Sequence, residues 1–306
     1  MGTPAAAVPT LERILTDGHE VGAVYTQPDR PSGRGKKILF SPVKEFALKR
    51  GLTIVQPQKI KTEEATETFR SFKADVAVVV AYGRILPVSF LEAFPKGAIN
   101  VHFSLLPKYR GAAPVNWAIV NGETRTGVTT MQMDAGLDTG DILLQREMEI
   151  GQDENAIELM SRLSQLGAGL LSETLAKYDE ITPIPQNDSS ASFAPLMEKE
   201  DGFADWTMPA EDIANRVRGF QPFPAVFTFY NGSRVTIWEA IAEAAMGQNS
   251  LQQGEIVAAR GDDLLIACGQ GTVLRIKEIQ PEGKRRMSVR DFVNGVRPEV
   301  GSRFGS

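Results

Sequence analysis

Residues 74–81 read Ala74-Asp75-Val76-Ala77-Val78-Val79-Val80-Ala81, and residues 98–101 add a second run of the same texture, Ala98-Ile99-Asn100-Val101. A nearly continuous valine-rich run of strand length predicts a strand covered on both faces, the condition of a central strand in a parallel sheet. Working outward, helical and extended patterns alternate. Val8 to Thr16 carries Leu11, Ile14 and Leu15 at helical spacing, and Val21 to Tyr25 follows as a short strand. Pro42 to Arg50 reads as a helix ended by Gly51, Thr53 to Val55 as a strand and Thr62 to Phe72 as a helix. Beyond residue 101, Pro114 to Asn121 begins a helix, Gly127 to Met133 alternates as a strand and Asn155 to Tyr178 is a long amphipathic helix. Strands separated by helices imply an α/β domain whose parallel strands are joined by right-handed crossovers.

The texture changes after Tyr178. Residues 182–190, Thr-Pro-Ile-Pro-Gln-Asn-Asp-Ser-Ser, form a polar, proline-bearing stretch that reads as a linker. Asp212 to Val217 looks like a short helix, and 225–230, 233–240, 254–259, 263–268 and 273–279 are closely spaced strands, two of them joined by Asn231-Gly232. Five short strands predict a small barrel, with the oligonucleotide-binding type as the natural expectation. The expected division is a first domain over 1–179, a linker over 180–204 and a barrel domain over 205–306. Phe220, Phe223, Phe227 and Phe229 are expected in the barrel core rather than as stacking platforms.

Composition narrows the function. With 306 residues, 42% hydrophobic and 23% charged, the chain has the make-up of a globular protein long enough for two domains. A single cysteine, Cys268, excludes an internal disulfide and suits a reducing compartment. No apolar run has membrane-spanning length, and no basic segment followed by an apolar core opens the chain, so a cytoplasmic location is expected. One cysteine and two histidines leave no zinc ligand set, and both the Gly-x-Ser-x-Gly elbow and the phosphate-binding Gly-x-x-x-x-Gly-Lys-Ser/Thr loop are missing from the sequence. Net charge −5 argues mildly against a general nucleic-acid binder, yet Arg30, Arg34, Lys36 and Lys37 stand among Pro31, Gly33 and Gly35. Glycines let a backbone approach phosphate, and the cations neutralise it; taken alone, though, a basic run is more often a solvated loop.

One of the two histidines, His102, follows Asn100 by two positions, so on a strand both side chains leave one face and reach one reacting oxygen. Alone, a histidine at a strand end is as readily a hydrogen-bonded structural residue. Here Phe103-Ser104-Leu105-Leu106-Pro107 stops the strand, which puts the pair where open α/β sheets bind ligands, and Asp138 downstream supplies a carboxylate to set the charge of the imidazole.

The run Asn100-Val101-His102-Phe103-Ser104-Leu105-Leu106-Pro107-Lys108-Tyr109-Arg110-Gly111-Ala112-Ala113-Pro114, continued by 127–142 with Asp134-Ala135-Gly136-Leu137-Asp138-Thr139-Gly140-Asp141, resembles the formyltransferases that use 10-formyltetrahydrofolate. Residues 26–37 and Gln280-Pro281-Glu282-Gly283-Lys284 bring it nearest to those whose acceptor is methionine esterified to initiator tRNA. The resemblance implies a Rossmann-like, mostly parallel catalytic domain, a linker and an oligonucleotide-type barrel. It implies catalysis by Asn100, His102 and Asp138: the Asn100 amide and a His102 N–H meet the developing oxyanion, while Asp138 holds the imidazolium and relays the amine proton through a water. A folate pocket is implied at Ser104, Leu105, Leu106 and Pro107, at Arg84, Ile85 and Leu86, and at Gly136 and Leu137. For Leu105 and Leu106, plain core packing is the competing expectation.

Binding of tRNA is implied at Arg30, Arg34, Lys36 and Lys37, with Arg34 foremost, and at Lys284, Arg285 and Arg286 beside Arg290. The formyl donor enters as co-substrate, without a metal, and a monomer is expected. Family members begin with an apolar strand before Gly-Thr-Pro, whereas this sequence starts Met1-Gly2-Thr3-Pro4. Without that strand the sheet loses ladder bonds, so a start further upstream is expected, with a melting temperature that differs between the two forms. Competing acceptors are glycinamide ribonucleotide, an amino sugar or water; a catalytically inert nucleic-acid-binding module is the reading from another class. The basic loop and the barrel disfavour the former, and Asn100, His102 and Asp138 the latter.

Overall fold

The computed structural model describes residues 1–32, 37–243 and 252–305. The chain divides into two compact units, Met1–Pro114 with Arg125–Glu149 and Met160–Pro195, and Val115–Thr124 with Ile150–Leu159 and Leu196–Ser306.

In chain order the first unit runs α1 (Val8–Thr16), β1 (Val24–Tyr25), β2 (Arg30–Ser32), β3 (Lys37–Leu39), α2 (Pro42–Lys49), β4 (Ile54–Val55), α3 (Glu63–Ser71), β5 (Ala77–Val79), α4 (Val88–Leu91), β6 (Ala98–His102) and β7 (Arg110–Gly111). After α5 (Pro114–Val120), most of which belongs to the second unit, come β8 (Arg125–Gln132), β9 (Ile142–Glu149), α6 (Ala156–Ala176) and β10 (Phe193–Ala194). Helix starts follow the local chemistry. Ser41 Oγ accepts from Lys44 N at 3.1 Å with Pro42 in the first turn, and Thr62 caps α3 in the same way.

β1 pairs in parallel with β4, and β5 with β6; β8 and β9 extend that second sheet antiparallel. The α/β class is as the sequence predicts. β9 was not expected, because its outer half, Gln145 to Glu147, is exposed and polar and lacks an apolar run. A cluster of Tyr25, Phe69, Phe90 and Phe94 underlies β1 and β5, with Phe69 stacked on Phe90 at 4.2 Å and the Tyr25 ring edge-on at 5.1 Å. Such pairs each contribute about 0.5–1.5 kcal/mol beyond the area they bury.

The expected strand over 74–81 is a strand over Ala77–Val79, with Val80 in a parallel bridge to Gly2. Between β1 and β5 lie Met1 and Gly2 alone: Gly2 N donates to Tyr25 O at 2.9 Å, Val80 N to Met1 O at 2.9 Å, and the Met1 α-amine to Val78 O at 2.6 Å. Burial pushes that amine down to about 5. A groove of about 680 Å³ beside Met1 and Gly2 is lined by Leu11, Ile14, Phe69, Phe72 and Val76 among others.

The stretch 182–190, read from its composition as linker, and the residues up to 195 are hydrogen-bonded along the first unit. Ile184 exchanges both backbone bonds with Ile142 at 2.8 and 2.9 Å, and Phe193–Ala194 pairs in parallel with Arg110–Gly111.

The second unit adds α7 (Ala210–Gly219), β11 (Val226–Tyr230), β12 (Ser233–Glu243), β13 (Ile256–Arg260), β14 (Asp263–Ala267), β15 (Val273–Pro281), β16 (Met287–Ser288) and α8 (Val289–Val296). The sheet is antiparallel in the order β11-β12-β15-β14-β13, with β16 on β15. Asn231 and Gly232, at φ 50° and 72°, make the predicted tight turn. Ile237, Ile256, Ile266, Leu274, Ile276 and Phe292 fill the core.

The expected barrel is not closed by strand pairing among the described residues, for β11 and β13 share no ladder. Residues 301–305 run between those edges instead: Ile256 N donates to Ser302 O at 2.8 Å and Gly305 N to Phe229 O at 2.7 Å. Of the four phenylalanines expected in the core only Phe220 is fully buried, whereas Phe223 is half exposed. On β11 the inward set is Val226, Thr228 and Tyr230, so period-two alternation turns Phe227 and Phe229 outward, against Phe203.

No helix among the described residues is long and apolar enough to cross a membrane. Cys268 is buried in the second unit, and desolvation pushes its thiol up to about 12. It is expected to resist a thiol-specific reagent in the native protein and to react on denaturation; rapid native labelling would contradict this packing.

Candidate active site

β6 is flanked on both sides, by parallel β5 and antiparallel β8, which place Asn100 opposite Met131 and His102 opposite Thr129. Asn100 and His102 therefore share a face. The Asn100 side chain is only part-buried and makes no hydrogen bond with the described residues, which leaves both ends of its carboxamide open. His102 is 6% exposed, and its Nε2 lies 2.9 Å from Tyr109 O. A carbonyl only accepts, so Nε2 carries the proton. The other ring nitrogen, Nδ1, faces Asp138 Oδ2 at 3.7 Å, an electrostatic contact rather than a hydrogen bond. For His102 to donate to an oxyanion, as expected from the sequence, Nδ1 must carry a proton as well, and Asp138 is the carboxylate opposite it.

Asp138 sits at φ 53°, in the left-handed region that Asp tolerates better than most residues. Its Oδ2 also accepts from Gly111 N at 2.8 Å. Upstream in the loop, Asp134 accepts from Thr139 Oγ1 and Gly136 N at 2.8 and 3.0 Å. At Gly140 a Cβ would stand 1.7 Å from Gln132 O, so no other residue fits the turn.

Outside the loop, Gln186 Nε2 donates to Asp138 O at 2.9 Å and Gly140 O at 2.7 Å, while its Oε1 receives Arg110 Nε and Nη2 at 3.0 and 2.8 Å. Tyr109, Arg110, Gly111 and Gln186 were not expected here. Two of them act through backbone atoms, which carry no sequence signal; Gln186 lies in the polar stretch read as linker. The cue available was Arg110 itself, one of the two Lys or Arg cations in the 100–114 run.

The residues implied for folate separate into two sets. Leu106 is buried with Met131 and Ile142, Leu105 packs where a Gly127 side chain would stand, and Ser104 Oγ donates to Lys108 O at 2.6 Å. These side chains are occupied within the fold. Pro107 is part-buried and its carbonyl accepts from Ser192 N. Arg84 donates to Pro57 O and Gln58 O, and Leu86 is buried. Ile85 and Leu137 are exposed, and Gly136 lies in the Asp134 turn. A cavity of about 430 Å³ opens between Val88, Leu91 and Glu92 on one side and Gln132 to Ala135 on the other, segments that adjoin 84–86 and 136–137 in sequence.

Of the basic residues, Arg34 and Lys36 lie outside the described residues, Lys37 belongs to β3 and Arg30 is exposed on β2. At the foot of this hairpin the hydrogen bond from Lys44, then one from Gln56, holds the Asp29 carboxyl below its ordinary range. Lys284 and Arg285 are exposed; Arg286 pairs with Glu278 and lies over the Trp238 ring, and Arg290 pairs with Asp262. Among the described residues no group of three His, Cys, Asp or Glu side chains could hold a metal ion.

Comparison with known proteins gives this geometry a context. Residues 1–175 match the family described as formyl transferase, and residues 196–297 its C-terminal domain. The methionyl-tRNA formyltransferase of Solibacter usitatus is 50% identical over 307 residues, covering 100% of this chain and 97% of its own. That of Geobacter metallireducens is 47% identical with the same coverage. Among solved structures, an N-formyltransferase from Helicobacter canadensis, in complex with folinic acid and dTDP-3-aminofucose, superposes with a TM-score of 0.68 at 21% identity, covering 90% of this chain and 96% of that one. At that identity the likeness speaks for the fold alone. Matched through its N-terminal and C-terminal parts alike, the chain belongs to the formyl transferase family.

Proposed function

We propose that this chain transfers the formyl group of 10-formyltetrahydrofolate to the α-amine of methionine esterified to initiator tRNA, giving formylmethionyl-tRNA for translation initiation. The observation that carries the chemistry is the His102 Nδ1 to Asp138 Oδ2 approach at 3.7 Å beside the open Asn100 carboxamide. The acceptor follows from full-length relatives at 47–50% identity that bear that activity in their names.

In this reading the neutral amine attacks the formyl carbon. With an α-amino reference value of about 7.7–8.0, a substantial share is free base near neutral pH. The carbonyl π electrons move onto oxygen, and the Asn100 amide donates to the oxyanion so formed. The attacking nitrogen loses a proton, N10 gains one as the carbon–N10 bond breaks, and His102 Nδ1 opposite Asp138 is where that proton is held between the two events.

For the donor, the cavity beside Val88 and Met133, with Ile85 and Leu137 exposed a few residues away in sequence, suits a flat ring better than the occupied side chains of Ser104, Leu105 and Leu106, whose contribution is to hold the 104–107 backbone. For the tRNA, we assign the acceptor arm to Arg30, Arg34, Lys36 and Lys37, and a second contact to Lys284, Arg285 and Arg286. The domain assignment is 1–179 for chemistry, 180–204 for the connection and 205–306 for an oligonucleotide-type barrel, a reading supported by the 301–305 segment between β11 and β13. We place the enzyme in the cytosol as a monomer. The Helicobacter structure is in complex with a nucleotide-linked amino sugar, but its 21% identity weighs less than the relatives named for methionyl-tRNA.

Incubation with 10-formyltetrahydrofolate and methionyl initiator tRNA is expected to give formylated methionine, and none on an amino sugar; no formylated tRNA would overturn the proposal. Asn100→Ala, His102→Ala and Asp138→Ala should each lower kcat roughly 10²- to 10³-fold, the usual effect of losing an oxyanion donor or its support. Steady-state rates together with unfolding midpoints check this, and near-normal turnover in any variant removes that residue from the mechanism. Arg34→Ala should raise KM for tRNA while folate affinity, measured by direct titration, stays unchanged.

A further inference from the structure

Residues 109–111 touch both members of the charge pair. Tyr109 O accepts from His102 Nε2, Gly111 N donates to Asp138 Oδ2, and between them the Arg110 side chain, 4% exposed, runs to Gln186. Gln186 then returns to the loop through Asp138 O and Gly140 O. A ring of contacts thus passes from the imidazole through the tripeptide and the amide to the carboxylate residue. We propose that Gln186 is a positioning residue for formyl transfer, holding Asp138 at its distance from His102 through the Arg110 clamp.

The position needs a side chain that accepts at one end and donates twice at the other. Glutamine does both. A glutamate would keep, and even strengthen, the pairing with Arg110 but would turn an oxygen toward two carbonyl oxygens with no proton between them. Asparagine is one methylene short. Asp188, whose Oδ1 receives Arg110 Nη2 at 2.8 Å, is 83% exposed and can steady the guanidinium without reaching the loop. Two neighbouring backbone links seat the clamp: Arg110 N donates to Ser192 O at 2.8 Å and Ala112 N to Ala194 O at 2.8 Å.

This inference rests on the proposed formyl transfer, so one readout is chosen that does not need turnover. The chain has two histidines, giving two imidazole signals by NMR. In Gln186→Glu and in Gln186→Met, an uncharged variant of similar length, the signal assigned to His102 by its loss in His102→Ala should shift, while that of His19 stays in place. In the formylation assay each variant should lower kcat roughly 10- to 100-fold, the effect of an ångström-scale misplacement, with KM for folate and for tRNA within about twofold of the parent. In an Asp138→Asn background the same substitutions should add little further loss, because the residue they act through is already disabled. An unmoved His102 signal, a normal kcat, or losses that multiply fully in the double variants would each overturn the proposal. A parent protein that does not formylate overturns the proposed function instead, and the NMR comparison still decides whether Gln186 positions the pair.

Discussion

Because a carbonyl oxygen accepts and never donates, the 2.9 Å contact between Tyr109 O and His102 Nε2 assigns the ring proton and with it the character of the whole site. Nδ1 is left as the exchangeable position, and the sheet register turns it toward Asp138 rather than into the core. Had the carbonyl faced elsewhere, a buried imidazole would lack a partner on one side, at a cost of about 1–3 kcal/mol. The left-handed conformation of Tyr109, at φ 60°, accompanies the orientation that meets the ring.

The polar groups around this contact are linked rather than scattered. Thr129 Oγ1 donates to Ser104 O at 2.7 Å and receives Leu106 N at 3.1 Å, while Gln145 Nε2 reaches both Thr129 Oγ1 and Leu106 O. The bend after β6 is therefore hydrogen-bonded along its length. A buried network of this kind rigidifies when its members are satisfied, since each unpaired group in low dielectric is expensive. Leu105 and Leu106 supply the apolar side of the same bend, packed against Gly127 and Met131, and so hold the strand end in place from within.

How far the sequence could be read depended on whether the information was periodic. α1, α2, α3 and α6 followed from apolar spacing and caps, and Asn231-Gly232 from turn chemistry. Asn100 and His102 were legible because alternation on a strand is strict. The 74–81 run was read as longer than its paired part, since an apolar run does not show where its neighbours' ladders end. Composition marked 182–190 as a connection but not its backbone bonds to the first unit, for polar and proline-bearing residues lie along a neighbouring backbone as readily as they run free. Barrel closure was out of reach for a similar reason, because strands predict a sheet but not whether its two edges meet. The four phenylalanines show the same limit, for a shared residue type concealed that alternation along β11 turns two of them outward.

The parallel pairing of Phe193–Ala194 with Arg110–Gly111 has a bearing on how this fold can be divided. A cut after the long helix α6 would keep every strand of the main sheet yet remove Gln186 and the backbone that seats Arg110. For exchange of halves between relatives, the crossover that preserves the inherited chemistry lies beyond Pro195. Recombination at 179 would separate the carboxylate loop from its brace.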